Sequence, residues 1–430
     1  MLVLVLPLAV IPWGEGEGYT QAKALTLYAL TVLAVSGWVL ARLGPSGLRW
    51  RLTPAELPVW GYVLALLLST VVSSNLYNSF LGTPLRREGL FTHLAYVGLY
   101  FIGVHFFGCA AGLRTLATAA GASALVAIGY GLVQLAVPPL FPAEAFMREW
   151  YGGLGVPRLG SLVGGPVVFG GYLATVVPLL LALGVSSPSR IRALWLAGAV
   201  LGCVATGLTL TRAAWLALIA GMVVLVVAVW ERRTARIVTM AIATAAVLSV
   251  GVLLVAAGPH KAAARATSTV DLSSGSAAQR LYTWKGTVQL VRTRPWLGWG
   301  LETLGEVFPY DRRTMVPLFG HRPVIIDRAH NDLLHVAVSV GAPGAMSYAA
   351  FWGLVVYSAW RLVRRAEGSD QPLAAGWLAA VVAYLLQAQF SFSTVAVTPL
   401  VWLLAGSACG WEAGIGPGRI AGTRERGNAK

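Results

Sequence analysis

Apolar runs long enough to cross a lipid bilayer recur along almost the whole chain, and that one feature excludes most folds. An α-helix needs about 20 such residues to traverse ~30 Å of hydrocarbon, where backbone amides must be satisfied within the protein. The runs predict spans near 1–13, 23–41, 55–74, 90–108, 115–136, 167–185, 194–210, 213–230, 237–257, 335–360, 372–390 and 396–412, twelve in all. A water-soluble fold could not hide the apolar residues, since 57% of the 430 positions are hydrophobic and 11% are charged. The expected architecture is therefore all-α and integral to a membrane, with about twelve transmembrane helices in one polytopic domain over 1–430. The opening MLVLVLPLAVIPW has no basic flank and no small-residue cleavage site, so it reads as a short first span. Cys109, Cys203 and Cys409 lie in or beside apolar runs and imply no disulfide framework.

Charge orients this map. With both termini cytoplasmic, the inner segments carry Arg42, Arg49, Arg51, Arg114, Arg190, Arg192, Arg232, Arg233, Arg236, Arg361, Arg364 and Arg365, and the tail adds Arg419, Arg424, Arg426 and Lys430. The short outer loops hold only Lys23, Arg86, Arg87, Arg148, Arg158 and Arg212. This is the positive-inside bias, from which long loops are exempt. The net charge of +15 therefore does not point to nucleic acid, and no basic run with interleaved aromatics is present. One long outer loop, 258–333, is itself basic, with Lys261, Arg265, Arg280, Lys285, Arg292, Arg294, Arg312, Arg313, Arg322 and Arg328. Such a face suits an anionic substrate. Within the loop Leu281, Trp284, Val288 and Val291 recur at helical spacing, with Ser276 as a cap and Pro295 as a stop. They predict an amphipathic helix on the outer leaflet, with Arg280 in its first turn. The following WLGWGLETLGEVF, with two Trp and three Gly, suits an interfacial turn.

Nucleotide-binding signatures are missing: there is no Walker loop, and no GxGxxG follows a strand. No Asp-x-Asp occurs on either face, and Glu15-Gly16-Glu17 reads more simply as a solvated pair than as a metal site. His330 and His335 are five apart, about 140° around a helix, so HNDLLH does not put two ligands on one face. Arginine carries more. Arg158 precedes a span, and Arg212 lies where two spans meet almost without a loop. A guanidinium at that depth faces a protein interior or a watery cavity, or snorkels to the headgroups. Arg158 could equally touch lipid phosphate, and Arg86 and Arg87 could pair with Glu88 or flank the membrane. Together these arginines could clamp a diphosphate, because the planar fork binds phosphate oxygens in pairs. DRAHNDLLH, residues 327–335, reads either as a helix boundary capped by Asn331 or Asp332, or as a reactive site at the mouth of the bundle.

Residues 82–344 carry GTPLRREGLFTHLAY, RLGSLVGGPVVFGGYLATVVP, LTRAAWLAL, RLYTWKGTVQLVRTRPWLGWG and AHNDLLHVAVSVGAPG in that order. In these motifs the chain resembles the O-antigen ligase and O-antigen polymerase superfamily of bacterial envelope glycosyltransferases. Gly165 stands where that family commonly has Asn before the Pro, and Thr211-Arg212-Ala213 stands for the common Ser-Arg-Gly. The resemblance implies a GT-C-type enzyme of the bacterial inner membrane with its active site on the periplasmic side. It implies inverting transfer of a glycan from an undecaprenyl-diphosphate-linked saccharide to an acceptor hydroxyl, with no metal or other cofactor required. By position, Arg212 and Arg280 would hold the diphosphate, Arg158 would be a further contact, and His330 would engage the acceptor. Arg86, Arg87, Asn331 and Asp332 are supporting candidates, the last two for fixing the imidazole tautomer, and His335 is expected to be structural.

A neutral imidazole with the ordinary pKa of about 6.5 can take a proton from a sugar hydroxyl. It could also merely orient that hydroxyl. The leading expectation is a ligase acting on lipid A-core or another glycolipid. A polysaccharide polymerase, or a transferase to protein, would use the same donor. A secondary transporter is a different class. No inverted repeat is visible and ionisable residues are scarce in mid-span, which weighs against it.

Overall fold

The computed structural model describes residues 1–14, 17–43, 52–151, 158–231, 275–319 and 324–414, with the single positions 236, 240 and 244. Among them no β-strand occurs, and eleven helices of fifteen residues or more form the frame. They are α1 Gly18–Leu43, α2 Glu56–Val71, α3 Leu90–Phe106, α4 Ala110–Ala136, α5 Pro166–Ser186, α6 Ser189–Leu208, α7 Arg212–Ala228, α8 Gly275–Thr293, α9 Asp332–Arg365, α10 Asp370–Gln389 and α11 Thr398–Glu412. Six (α1, α4, α5, α6, α9 and α10) are long and apolar enough to cross a membrane, and α2, α3 and α7 are shorter apolar helices. Each predicted span from 23–41 to 213–230, and from 335–360 to 396–412, coincides with a helix. The span near 237–257 lies outside the described residues.

The first predicted span is a correction. Met1–Trp13 yields only a helical turn at Leu2–Val5 and a 3-10 turn at Leu6–Leu8. Pro7 cannot donate to a helix ladder, and the chain turns extended at Ala9. The segment is tied down by Lys23, which is a buried residue of α1 and no loop cation. Its ammonium donates to the carbonyls of Ala9 at 2.7 Å and Leu162 at 2.8 Å.

Helices α5 and α10 run through the centre: 89% and 78% of their apolar windows are buried, against 17% for α1. With no water to drive helices together inside lipid, close backbone approach through small residues does so. At the α3–α11 crossing a Cβ on Gly406 would sit 1.9 Å from the Tyr100 carbonyl, and one on Gly103 would sit 2.3 Å from that of Leu403.

Helix α9 is broken at Gly341, whose φ of +78° and ψ of 172° are non-helical, and Pro343 follows. The break strands carbonyls that a continuous helix would satisfy. Trp299 N donates to Val338 O at 2.9 Å, Gly300 N to Ser339 O at 3.0 Å, and Ala342 N to Pro295 O at 2.7 Å. Ser69 Oγ adds a bond to Ser339 O at 2.6 Å. The Trp/Gly-rich turn is thus docked into a broken helix, the arrangement that lets irregular backbone sit within a bundle.

Helix α8 occurs where expected, but it starts at Gly275, so Ser276 is inside it and Arg280 falls in its second turn. Its buried side also differs from the expected stripe. Thr283, Thr287 and Leu290 turn inward, while Val288 is exposed and Leu281, Trp284 and Val291 are half-buried. Leu290 joins Leu304, Phe308, Ile326, Ala329 and Val338 in a second small core that seats the loop on α9.

Candidate active site at one end of the bundle

The segments that carry the sequence motifs gather at one end of the helices. At that end Ser74 N meets Trp299 O at 3.1 Å, Arg86 Nε meets Asp327 Oδ2 at 2.6 Å, and Ser393 N meets Asp332 Oδ1 at 3.2 Å. The opposite end carries the Arg114–Asp370 pair at 3.6 Å and the Arg365–Glu412 pair at 3.0 Å.

Arg212 opens α7, and only Thr209, Leu210 and Thr211 separate it from the end of α6. Leu210 holds a left-handed φ of +51°, which makes so abrupt a reversal possible. Arg158 fastens this turn: its Nε donates to Thr209 O and one terminal nitrogen to Thr211 Oγ1, both at 3.0 Å. The Arg158 fork, expected on the diphosphate, is thus in part committed to the turn that sets Arg212. Arg280 comes from α8 and lies within electrostatic range of Arg212. Burial first, and the Arg212 cation second, push the Arg280 guanidinium below its ordinary value.

His330 immediately precedes the N-cap of α9 in a left-handed conformation, φ +51°, and its ring meets Phe392 edge-on with centroids 5.5 Å apart. Burial pushes its imidazole down to about 4, and the Arg280 cation adds to this; Asp327 opposes it, while Arg86 and Arg328 lower it further. Arg280 is therefore within electrostatic range of both Arg212 and His330. Arg86 lies 4.6 Å over the same Phe392 ring and is paired with Asp327, not with Glu88 as the sequence allowed. Burial works against Asp327, but the Arg86 cation and its hydrogen bond outweigh it and hold that carboxyl below its ordinary value. Arg87 has a left-handed φ of +59° and accepts from Thr92 at its carbonyl, with its Nε turned inward.

The tautomer role expected of Asn331 and Asp332 is not what the structure shows. Asn331 is the N-cap of α9, its Oδ1 accepting from Leu334 N at 2.9 Å. Asp332 accepts from Tyr348 at 2.7 Å and from Ser393 Oγ at 2.5 Å. Both are bound into the helix start, which realises the capping half of the boundary reading alongside the site. His335 is buried and its Nε2 lies 2.7 Å from Arg328 Nη1.

Three residues were not singled out in the sequence. Arg328, grouped there with the loop cations, is buried and ion-paired with Glu302. Glu302 also accepts from Thr83 Oγ1 at 2.7 Å and is itself left-handed, φ +60°. Phe392 has Arg86, Arg328 and His330 around it. Glu302 is one of two carboxylates in the apolar WLGWGLETLGEVF, Glu306 being the other, and an ionisable group in so apolar a stretch was the available signal. An open cleft of about 1620 Å³ is walled by Tyr19, Gln21, Lys23, Arg86, Glu88 and Phe392, among others. Glu88 also borders a narrow internal cavity, and burial pushes its carboxyl up to about 8 against the Arg328 cation. Among the described residues no three His, Cys, Asp or Glu side chains are grouped to hold a metal, and Glu15 and Gly16 lie outside them.

Residues 197–349 match the family model described as O-Antigen ligase. The matched segment, about a third of the chain, is similar to the O-antigen ligase family and supports the resemblance to the O-antigen ligase and polymerase superfamily. Arg212, Arg280, Glu302, Arg328 and His330 all fall inside the match, while Arg86, Arg87 and Arg158 precede it. The family is one of membrane glycosyltransferase-type enzymes, consistent with the multi-pass helical frame. No curated protein matches the chain.

Proposed function

We propose that this protein is an O-antigen ligase of the bacterial inner membrane, both termini cytoplasmic and its site periplasmic. Its donor is an undecaprenyl-diphosphate-linked glycan, and its acceptor is a hydroxyl of lipid A-core or another glycolipid. What supports this reading is that Arg280 lies within electrostatic range of both Arg212 and His330. Two guanidiniums that repel each other favour a bridging anion, and their forks match diphosphate oxygens.

In the transfer step His330, neutral at working pH, takes the proton of the acceptor hydroxyl as its oxygen bonds to the anomeric carbon. The bond from that carbon to the diphosphate oxygen breaks, inverting the centre. Arg212 and Arg280 offset the charge growing on the leaving diphosphate. No residue is assigned to a metal or other cofactor. Arg158 serves the donor mainly by holding the turn that aims Arg212.

The test is incubation of purified protein in lipid nanodiscs with a labelled polyprenyl-diphosphate-linked glycan and a glycolipid acceptor. One shifted glycolipid band is expected. A ladder would make the protein a polymerase, labelled polypeptide would make it a protein glycosyltransferase, and uptake into vesicles without a new glycosidic bond would make it a transporter.

A further inference from the structure

Arg328 is two residues from His330, and its side chain is buried in the bundle. Only 4% of it is exposed, and Ala329 between the two is fully buried. One arm of its fork lies 2.7 Å from His335 Nε2, and the other pairs with Glu302. The first contact joins the loop to α9 across seven residues and closes the backbone arc in which His330 sits. The second ties that arc to the docked Trp/Gly turn, and the remaining Glu302 oxygen reaches Thr83 in the 82–90 segment. His330 and Glu302 both hold left-handed backbones with side chains that disfavour them. Such conformations persist when the surroundings over-determine them, and Arg328 is the group that touches both neighbourhoods. It also lies 5.9 Å over the Phe392 ring that abuts His330.

We infer that Arg328 is a positioning residue that, through Glu302 and His335, fixes the backbone and the aim of His330 for the reaction. The inference rests on the function proposed above. It does not make Arg328 a donor ligand, because its guanidinium is buried, with one terminal nitrogen on His335 and the other ion-paired with Glu302. The cations and anion facing His330 are Arg280, Arg86, Arg328 and Asp327, so loss of the Arg328 charge also leaves a mark on the imidazole.

The experiment compares wild type, Arg328→Lys, Arg328→Met and the pair Arg328→Met/Glu302→Gln. Transfer kinetics and the His330 titration by NMR are followed in nanodiscs. In Arg328→Met, kcat is expected to fall about 10²-fold, the scale of a small misplacement of a reacting group, with donor KM little changed. The His330 titration moves up in pH, because a nearby cation is gone. Arg328→Lys recovers the titration but only part of kcat, lacking the fork. The double variant removes the unpaired buried carboxylate, regains thermal stability and stays slow. A folded double variant with wild-type kcat and an unmoved titration overturns the inference, as does a loss confined to donor KM. If the wild type transfers no glycan, the functional proposal falls, while the titration still decides whether Arg328 sets His330.

Discussion

At the residue scale the site is two pieces of chemistry set side by side, an anion clamp and an imidazole. His330→Ala is expected to abolish transfer while the protein still binds the polyprenyl-diphosphate donor, and His330→Gln to retain a trace by hydrogen-bonding the hydroxyl. Full activity of His330→Ala on purified protein would remove the residue from the mechanism. The acid limb of its pH profile should be unusual. With the imidazole held down to about 4, the neutral base persists well below the ordinary value, so kcat/KM stays flat on mild acidification and falls only as pH nears 4. A bound diphosphate neutralises Arg280 and raises the imidazole, so the limb in kcat should lie above the limb in kcat/KM. Coincident limbs at about 6.5 would mean a solvent-exposed, unperturbed ring. In the clamp, Arg212→Lys and Arg280→Lys keep the charge and lose the fork, and each should cut transfer severely with expression unchanged. Arg313→Lys, at an exposed position, should be mild. Equal tolerance at all three would leave only diffuse attraction.

At the scale of elements, the broken α9 holds the site together. Its freed carbonyls at Val338 and Ser339 receive the 299–300 turn, and that turn carries Glu302 toward Arg328. Gly341 makes this possible twice over: its φ is +78°, and a Cβ there would stand 2.2 Å from the Trp296 carbonyl. Gly341→Val should therefore lower the thermal midpoint and transfer activity together, whereas Ser69→Ala, which removes one bond to Ser339 O, should cost about 1 kcal/mol. Differential scanning fluorimetry in detergent separates the two. A Gly341→Val protein as stable as wild type would show that the turn does not need this break. Helix α8 teaches a related lesson, since its apolar spacing was legible but Thr283 and Thr287, not the Trp284 stripe, face the interior.

For the whole molecule, among the described residues the Arg86–Asp327 pair of the motif-bearing segments lies at one end of the bundle and the Arg114–Asp370 and Arg365–Glu412 pairs at the other. With the site outside, a cysteine at the exposed Arg313 of a variant lacking the three native cysteines should react with a membrane-impermeant thiol reagent on intact spheroplasts. One at the exposed Gly368 should react only after permeabilisation. Labelling of both from the same side would overturn the assigned orientation.

The sequence by itself determined the all-helical architecture with several apolar helices able to cross a membrane, the positions of ten of its helices, and the resemblance that the family match over 197–349 supports. Those follow from composition and local spacing: about 20 apolar residues make a span whatever surrounds them, and charge between spans orients them. It also marked Arg212, Arg280 and His330, which come from three separate segments and of which Arg280 lies within electrostatic range of the other two. What the tertiary structure alone decided depends on partners distant in the chain. Whether Met1–Trp13 spans, and where Lys23 points, was settled by Pro7 and by carbonyls at Ala9 and Leu162. Arg86 took Asp327 over its near neighbour Glu88 because the fold places a carboxylate 241 positions away at 2.6 Å. Arg328 looked like one loop cation among ten, and only burial beside Glu302 and His335 distinguished it. A charge's sign and spacing can be read from sequence, but its solvation and its partner are properties of the folded interior.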